Sequence, residues 1–307
     1  MTTSKVNHAT FLKPRSGRLP VILDTDAFNE IDDQFAIVQM LLAPERFDVR
    51  AITAAPFHNT RSTGPGHGMD LSYDEILRLL ERLDMAGKVP VYRGVTEYVG
   101  PQKQPRTADA VTFMIEAARS ASPEDPVYVI AIGAISNVAS ALLTAPDIAD
   151  RMVVVWLAGH APEWPDVMEF NLRQDVGGAQ VLFDSGVPLV LIPARPITSH
   201  LHSTVPEIEA YVEPHGEIGR FLAMRFKEYS KEHRGWSKPI WDMAAIAWLI
   251  EPDWVPTVLM PSPVLTSEVT WSVDRRRHQI RCATFVHRDP IMRDFFARLE
   301  AFAQPSK

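Results

Sequence analysis

Short apolar runs alternate with amphipathic stretches along most of this 307-residue chain. Six apolar runs predict β-strands, at residues 20–25, 49–54, 89–92, 127–132, 153–158 and 187–193. Several are apolar at every position, which is typical of strands buried on both faces in a parallel sheet. Helical spacing predicts helices near 32–42, 70–86, 108–121, 136–144 and 175–185. The alternation predicts right-handed βαβ crossovers, and hence an α/β domain with a mostly parallel central sheet and helices on both faces.

The pattern changes after about residue 205, where two longer helical regions follow at 205–233 and 240–250. The runs TVLM, EVTWSV and IRCATFV then predict a small antiparallel element with Arg275–Arg277 at a hairpin tip, and a last helix is predicted at 290–303. No linker, repeat or low-complexity segment interrupts the chain. Residues 1–307 are therefore expected to form one domain, with a core over about 20–250 and the elements of 255–303 packed on it.

Charge and composition narrow the class of protein. The formal net charge of −7 argues against nucleic acid as the main partner. The polar N-terminus lacks the apolar centre of a secretion signal, and no uncharged stretch approaches the roughly 20 residues that span a bilayer. Cys282 is the only cysteine and lies in a predicted strand, so a buried, unpaired thiol is expected. These features predict a soluble cytoplasmic protein that acts on a small molecule, without a membrane or nucleic-acid partner.

Four aspartates stand where the first predicted strand ends and the first helix begins, at Asp24, Asp26, Asp32 and Asp33. Carboxylates this close repel one another and are costly to bury. Helix capping accounts for one of them but hardly for four. A hard cation such as Ca²⁺ or Mg²⁺ would relieve the repulsion, and strand ends are where sites form in α/β proteins. The start DTDAF also suggests a haloacid-dehalogenase-type phosphatase, although Phe28 departs from that motif and the second aspartate pair is unexplained by it.

Other strand ends carry further polar residues. In AIGAISN, the turn after the strand is interpreted either as a capped helix start or as a backbone carbonyl, at Ile132, that faces the same crevice. Asp242 opens an apolar helix, either as a first-turn acid or as a distant carboxylate ligand.

The segment after the fifth strand is predicted to be a loop that holds Trp164, Glu169 and Asn171, followed by a helix capped by Asp175. Glutamate and asparagine two residues apart can converge on the hydroxyls of a sugar. The histidines of this and other loops, His160 among them, are each expected to be solvated.

Together these segments resemble the inosine–uridine preferring nucleoside hydrolase family. Members carry a DxDxxxDD start, a glycine turn ending in asparagine, an EFN triplet before an Asp-started helix, and a late His-Asp pair. This chain has, in the same order, DTD…IDD at 24–33, IGAISN at 132–137, EFNLRQD at 169–175 and WD at 241–242. Its start resembles the branch with DTDxxNEIDDQFA. The resemblance implies a Rossmann-like core and calcium-dependent hydrolysis of the N-glycosidic bond of ribonucleosides to ribose and free base.

The resemblance also implies roles for individual residues and a homo-oligomer, either a dimer or a tetramer. One Ca²⁺ ion is expected to be held by Asp26, Asp33, Asp242 and the main-chain oxygen of Ile132. Asp26 matches the general base, and Asp24 a supporting aspartate. The residues that match ribose contacts are Asp32, Asn59, Glu169 and Asn171.

Two departures from the family pattern concern the site. Five residues, Ala27–Ile31, separate the second aspartate from the Asp-Asp pair where three are common, so Asn29 or Glu30 is expected to reach the site. Trp241 occupies the position where many members have a histidine thought to protonate the leaving base. Trp241 or Trp164 is then expected to activate the base by stacking. The same departures are also compatible with a ribose- or nucleoside-binding relative that has lost catalysis.

Overall fold

The computed structural model describes residues 13–304, and the polar N-terminal segment lies largely outside that range. Strands are formed by Leu19–Thr25 (β1), Phe47–Ala54 (β2), Val91–Tyr92 (β3), Val127–Ala131 (β4), Met152–Leu157 (β5), Leu189–Ile192 (β6), His202–Ser203 (β7), Lys238–Pro239 (β8), Thr257–Pro261 (β9), Val264–Leu265 (β10), Trp271–Ser272 (β11) and Gln279–Ala283 (β12). Helices are formed by Asp32–Leu41 (α1), Pro65–Arg82 (α2), Asp109–Ser120 (α3), Ser136–Thr144 (α4), Phe170–Gln174 (α5), Val176–Ser185 (α6), Val205–Tyr211 (α7), Gly216–Glu228 (α8), Met243–Ile250 (α9) and Arg288–Ala303 (α10).

One large sheet organises the molecule, with the strand order β3-β2-β1-β4-β5-β6-β12-β9. Neighbouring strands are parallel from β3 to β12, and the edge strand β9 runs antiparallel to β12. The order reverses direction between β1 and β4, and at such a switch point a crevice opens beyond the carboxyl ends of the strands. The predicted α/β class with a mostly parallel sheet is confirmed.

Both faces of the sheet are covered by helices. Along β1, Val21 and Leu23 point into an apolar layer shared with α1, α2, α8, α9 and α10, whereas Ile22 points into a second layer shared with α3, α4 and α6. Burial on both sides is the reason that these strands are apolar at every position. Among residues 13–304, no helix is both long and apolar enough to cross a membrane.

The predicted helix over 205–233 is two helices, α7 and α8. Pro214 lies between them, and it lacks an N–H and disfavours helical backbone in the residue before it. Gly216 then takes a φ of 73°, which glycine adopts without steric cost. The helical spacing of apolar residues therefore continues across the turn that separates the two helices.

The C-terminal strands also differ from the prediction. They do not form a separate antiparallel element, because β12 adds to the main sheet beside β6 and β9 pairs with β12. Arg275–Arg277 lies in the connection between β11 and β12, but β11 pairs with β10, so the hairpin-tip interpretation is wrong. Cys282 is 3% exposed in β12, as expected for a buried thiol.

Candidate active site

A cavity of about 590 Å³ opens at the carboxyl edge of the sheet, at the β1–β4 switch point. Most of the site residues predicted from the sequence line its wall: Asp26, Asn29, Asp32, Asp33, Asn59, Ile132, Glu169, Asn171, Trp241 and Asp242. Two predicted residues stand outside the wall that residues 13–304 form. Asp24 is fully buried, and Trp164 is half-buried with its ring edge-on to His160 at a centroid distance of 6.1 Å.

Three carboxylates form the acidic floor of the cavity, defined as Asp32, Asp33 and Asp242. Each offers an oxygen, and these oxygens all lie within 4.8 Å of one another. Asp32 and Asp33 begin α1, and Asp242 is the N-cap residue of α9. Two helix N-termini therefore meet at the floor, and the positive ends of their dipoles favour negative charge there.

Burial and mutual repulsion make these carboxylates hard to ionise in the absence of a cation. Burial raises the pKa of Asp32 to about 7, although the positive charge of Lys238 acts in the opposite direction. Burial, followed by the charges of neighbouring acids, raises the pKa of Asp26, Asp33 and Asp242 well above the usual range. Asp33 and Asp242 are close enough for a carboxyl–carboxylate hydrogen bond.

The donor set fits a hard cation. Both carboxylate oxygens of Asp26 and Oδ1 of Asp32 are buried and meet no hydrogen-bond donor among residues 13–304. Buried polar atoms normally have a partner, so these oxygens call for a ligand that the protein itself does not provide. Several clustered oxygen ligands without nitrogen or sulfur are the coordination that Ca²⁺ and Mg²⁺ prefer. The described carboxylates could therefore hold a metal ion.

Asp26 and Ile132 lie next to the acidic floor. The charge of Asp33 raises the pKa of Asp26, and that of Asp26 raises the pKa of Asp242. The carbonyl oxygen of Ile132 accepts a hydrogen bond from Nδ2 of Asn171 at 3.2 Å, which leaves it a second lone pair. The turn after β4 can approach because its residue is Gly133, where an added Cβ would lie 3.1 Å from the backbone nitrogen of Asp26. The predicted ligands are thus neighbours. The tightest group contains Asp32, whereas the family resemblance implies Asp26 as the ligand.

Buried hydrogen bonds fix the surroundings of the floor. The Thr25 hydroxyl donates to Asp33 at 2.5 Å. Oδ1 of Asp24 accepts from the hydroxyl of Thr53 at 2.6 Å and from Nδ2 of Asn137 at 2.8 Å, which ties β1 to β2 and to the start of α4. Burial raises the pKa of Asp24 to about 6. This geometry agrees with a supporting role for Asp24 outside the cavity wall.

Glu169 and Asn171 are held by backbone groups. The Glu169 carboxylate caps α5 and accepts from the backbone nitrogens of Gly159, Asn171 and Leu172 at 2.9–3.0 Å. Asn171 donates through Nδ2 to the carbonyls of Ile132 and Leu157. Acceptor capacity remains on both side chains, since a carboxylate has about four lone-pair sites. Asn171 lies in α5 and not in the predicted loop, because this capping lets a short helix form.

The capping role predicted for Asp175 is confirmed. Its carboxylate accepts from the backbone nitrogen of Gly178 at 2.9 Å at the start of α6. It also accepts from the Ser136 hydroxyl and from two backbone nitrogens of residues 99 and 100.

The longer loop Ala27–Ile31 brings two side chains to the cavity, as expected from its length. Oδ1 of Asn29 accepts from Nδ2 of Asn59 at 2.7 Å. Glu30 accepts from Nζ of Lys238 at 2.5 Å and from the hydroxyl of Tyr229 at 2.7 Å. Burial raises the pKa of Tyr229 to about 12, so this hydroxyl is a proton donor in the hydrogen bond.

The expectation that His160 is solvated was wrong. It is 6% exposed, lines the cavity, and its Nδ1 accepts from the backbone nitrogen of Arg195 at 3.3 Å. Sequence reasoning also missed four cavity-lining residues: Arg61, Arg173, Arg195 and Tyr229. Arg61 and Arg173 each lie two residues after a predicted site residue, Asn59 and Asn171, and that spacing was a signal that could have found them. Arg195 and Tyr229 have no such neighbour, because tertiary contacts bring them to the cavity.

Comparisons with known proteins agree with this geometry. The sequence model of the family described as inosine-uridine preferring nucleoside hydrolase matches residues 21–293. The chain is 30% identical to the pyrimidine-specific ribonucleoside hydrolase RihA of Citrobacter koseri and 28% identical to RihA of Escherichia coli O1:K1, in each case over 78% of this chain and 82% of the relative.

Solved structures share the fold. The purine-preferring ribonucleoside hydrolase from Gardnerella vaginalis superimposes with a TM-score of 0.73 at 22% identity, over 92% of this chain and 99% of that one. An inosine-uridine preferring nucleoside hydrolase from Bacillus anthracis gives 0.70 at 14% identity, over 93% and 99%. The family match covers most of the chain, and the prediction of an N-glycosyl hydrolase is confirmed at that level. The chain belongs to the inosine–uridine preferring nucleoside hydrolase family.

Proposed function

We propose that this protein hydrolyses the N-glycosidic bond of ribonucleosides to give ribose and free base, with one Ca²⁺ ion at the acidic floor. The observation that carries the proposal is the set of buried, unpartnered carboxylate oxygens in a cavity of about 590 Å³. That volume is in the range of small-molecule sites. The names of the curated RihA relatives, which are ribonucleoside hydrolases, support the same reaction.

The proposed ion ligands are Asp26, Asp33, Asp242 and the carbonyl oxygen of Ile132. All are oxygen donors, and the three carboxylates carry raised pKa values that a cation would reverse. When bound, Ca²⁺ supplies a fixed positive charge that orients the attacking water and lowers its pKa, though less strongly than Zn²⁺ does.

Asp26 is the proposed general base. Its carboxylate is 1% exposed, and neither oxygen is engaged by a donor among the described residues. Because neither oxygen has a donor, one can hold the ion while the other takes a proton from the attacking water, a contribution of about 10²–10⁴-fold. Cleavage passes through an oxocarbenium-like sugar, and the surrounding carboxylates favour that positive charge in a dry site.

The ribose hydroxyls are proposed to bind next to the ion site, where Asp32 borders both. The residues are Asp32, Asn29, Asn59, Glu169 and Asn171, all of which line the cavity. A 2′-deoxyribonucleoside lacks one of the hydroxyl groups that these residues bind. Its kcat/KM should therefore be about 10²-fold lower than that of the ribonucleoside.

Trp241 is the proposed residue for the leaving base, since it lines the cavity directly before Asp242. Its ring can stack on the base and fix its orientation while the glycosidic electron pair moves onto the base nitrogen, which solvent water then protonates. Trp164 does not line the cavity, and its ring is edge-on to that of His160 at 6.1 Å, so Trp241 is preferred for the contact with the base.

A panel of purine and pyrimidine ribonucleosides, assayed for free base with Ca²⁺ and with a chelator, tests the proposal. We expect base release from at least one member and its loss with the chelator. Absence of release from every member, with normal folding, would contradict it. The second candidate is a binding-only relative, favoured by the Trp241 substitution. Calorimetric binding of a ribonucleoside without any base release would support that alternative.

A further inference from the structure

Three side chains outside the acidic floor form a closed set of contacts, here called the Glu30 unit: Glu30, Tyr229 and Lys238. The Glu30 carboxylate receives the Lys238 ammonium on one oxygen at 2.5 Å and the Tyr229 hydroxyl on the other at 2.7 Å. The ammonium also lies 4.7 Å from the centre of the Tyr229 ring. Each member therefore contacts the other two, and both Glu30 and Tyr229 line the cavity.

Lys238 is unusual for a lysine because it is 5% exposed. Lysine is almost never buried without a partner, and a buried ion pair often contributes no more stability than apolar side chains of similar size. Lys238 lies in the two-residue strand β8, which pairs with β7 through backbone groups. This pairing does not require a charged side chain. The buried ion pair of Lys238 and Glu30 is therefore better explained by the geometry that it gives the cavity wall than by a contribution to stability.

The location of the unit connects it with the leaving base. Glu30 belongs to the loop that is longer than the family pattern, and Lys238 stands three residues before Trp241. The positive charge of Lys238 also lies close to Asp32. Since the backbone nitrogen of Trp241 also hydrogen-bonds Asp32, the unit and Trp241 both meet the acidic floor at Asp32.

We propose that Lys238 and Glu30 are positioning residues for the hydrolytic reaction, a role that rests on the proposed function. Lys238 fixes the Glu30 carboxylate, and Glu30 holds the Tyr229 hydroxyl at the cavity wall. Loop 27–31, Tyr229 and Trp241 then present one fixed surface to the leaving base. Loss of the pair lets the base bind in more than one orientation, although the ion and the ribose are still held.

The test compares two substrates whose leaving groups differ in how much the enzyme must assist their departure. A ribonucleoside has a poor leaving group, whereas 4-nitrophenyl β-D-ribofuranoside releases a stable phenolate. The double variant Lys238→Met/Glu30→Gln removes both charges and keeps the size of each side chain, so no buried charge is left alone. Tyr229→Phe is a second variant that removes only the hydroxyl. The control is Lys227→Met/Glu213→Gln, which removes a pair at 2.7 Å outside the cavity.

We expect kcat on ribonucleosides to fall about 10–100-fold in the double variant, because small misplacements at a reacting centre have effects of that size. The nitrophenyl riboside should lose less than about 3-fold, and Ca²⁺ affinity should stay unchanged. Tyr229→Phe should show the same selectivity to a smaller extent, and the control should behave as wild type.

Equal losses on both substrates would overturn the inference, as would wild-type activity in the double variant. If wild-type protein cleaves both substrates but the variants do not lose more activity on ribonucleosides than on the nitrophenyl riboside, the proposed function stands and this inference fails. If wild-type protein cleaves neither substrate, both fail together.

Discussion

The acidic floor of the cavity and the Glu30 unit in its wall are assembled from different kinds of contact. The floor draws carboxylates from the starts of α1 and α9, and buried bonds such as Thr25 to Asp33 hold its side chains. The unit depends on one ion pair and one hydrogen bond around Glu30. Within residues 13–304 no floor carboxylate forms an ion pair, and the nearby charge of Lys238 is paired with Glu30 of the wall. This difference indicates that the floor needs an added ion to function and the wall does not.

Asp33→Ala should give the largest effect. Asp33 shares the floor with two other carboxylates and is oriented by Thr25, so its loss removes an ion ligand that no neighbour replaces. We expect loss of measurable Ca²⁺ binding by calorimetry and a fall of about 10³-fold or more in base release, the equivalent of several kcal/mol. Asp147→Asn, in an exposed ion pair with Arg119, is the control and should leave both unchanged. Full activity in Asp33→Ala would remove the metal-site proposal.

The pH dependence of stability should report on the floor and on Asp24 behind it. The pKa of Asp32 is about 7 and that of Asp24 about 6 in the folded protein, both above their usual value of 3.8. A folded pKa above the unfolded one means that the folded state binds protons more tightly. Without metal, this contribution to stability is therefore full below about pH 4 and is lost as the pH rises through 6 to 7.

A bound cation reverses that dependence, because it needs ionised carboxylates and competes with protons. Ca²⁺ at about 100 times its Kd should add about 2.7 kcal/mol to the free energy of unfolding at pH 8, and this gain should shrink toward pH 5. Denaturant unfolding with Ca²⁺ and with chelator between pH 5 and 8 measures it. A gain that is the same at both ends of this range would contradict ionised floor carboxylates as the ligands.

Trp241→Ala should affect the wall and spare the floor. Trp241 offers a half-buried ring to the cavity, and only its backbone nitrogen hydrogen-bonds the floor, through Asp32. We expect turnover of ribonucleosides to fall about 10-fold from lost stacking, with the Ca²⁺ content unchanged by elemental analysis. Trp241→Phe keeps an aromatic face and should recover part of the rate. Loss of the metal in Trp241→Ala would instead make this residue a structural support of the floor.

The same contrast explains what could be predicted from the sequence. Asp32 and Asp33 were predictable because four aspartates at one strand end are costly unless a cation binds, and because continuous apolar runs located the strands. Asp242, far along the chain, joined them through the family resemblance. The wall was predictable only in part: Glu30 and Trp241 were expected at the site, whereas Tyr229 and the partner of Glu30, Lys238, are placed by the end of α8 and by the pairing of β7 with β8. The position of β12 beside β6 is likewise a long-range pairing that no local pattern contains. The break at Pro214 did have a local signal, which the helical spacing around it masked.

Gly133→Ala should give the smallest effect and tests how tightly Asp26 is packed beside the floor. A Cβ at this position would lie 3.0 Å from the Cβ of Ala55 and 3.2 Å from the carboxyl carbon of Asp26, so the Asp26 side chain must shift by a few tenths of an ångström. Overpacking of this kind costs about 1–3 kcal/mol, here divided between stability and the geometry of the ion site.

We expect Ca²⁺ affinity and kcat each to fall about 3–10-fold in Gly133→Ala while the protein stays folded, measured by calorimetry and base release. Gly64→Ala is the matched control, because its added methyl group meets no atom within 4 Å and its backbone is extended. If Gly133→Ala bound Ca²⁺ as tightly as the control, Asp26 would have freedom to adjust. The ion site would then tolerate the change of one contact without loss of the ion, as is expected of the wall. Asp32 would in that case be the better candidate for the ligand role assigned to Asp26.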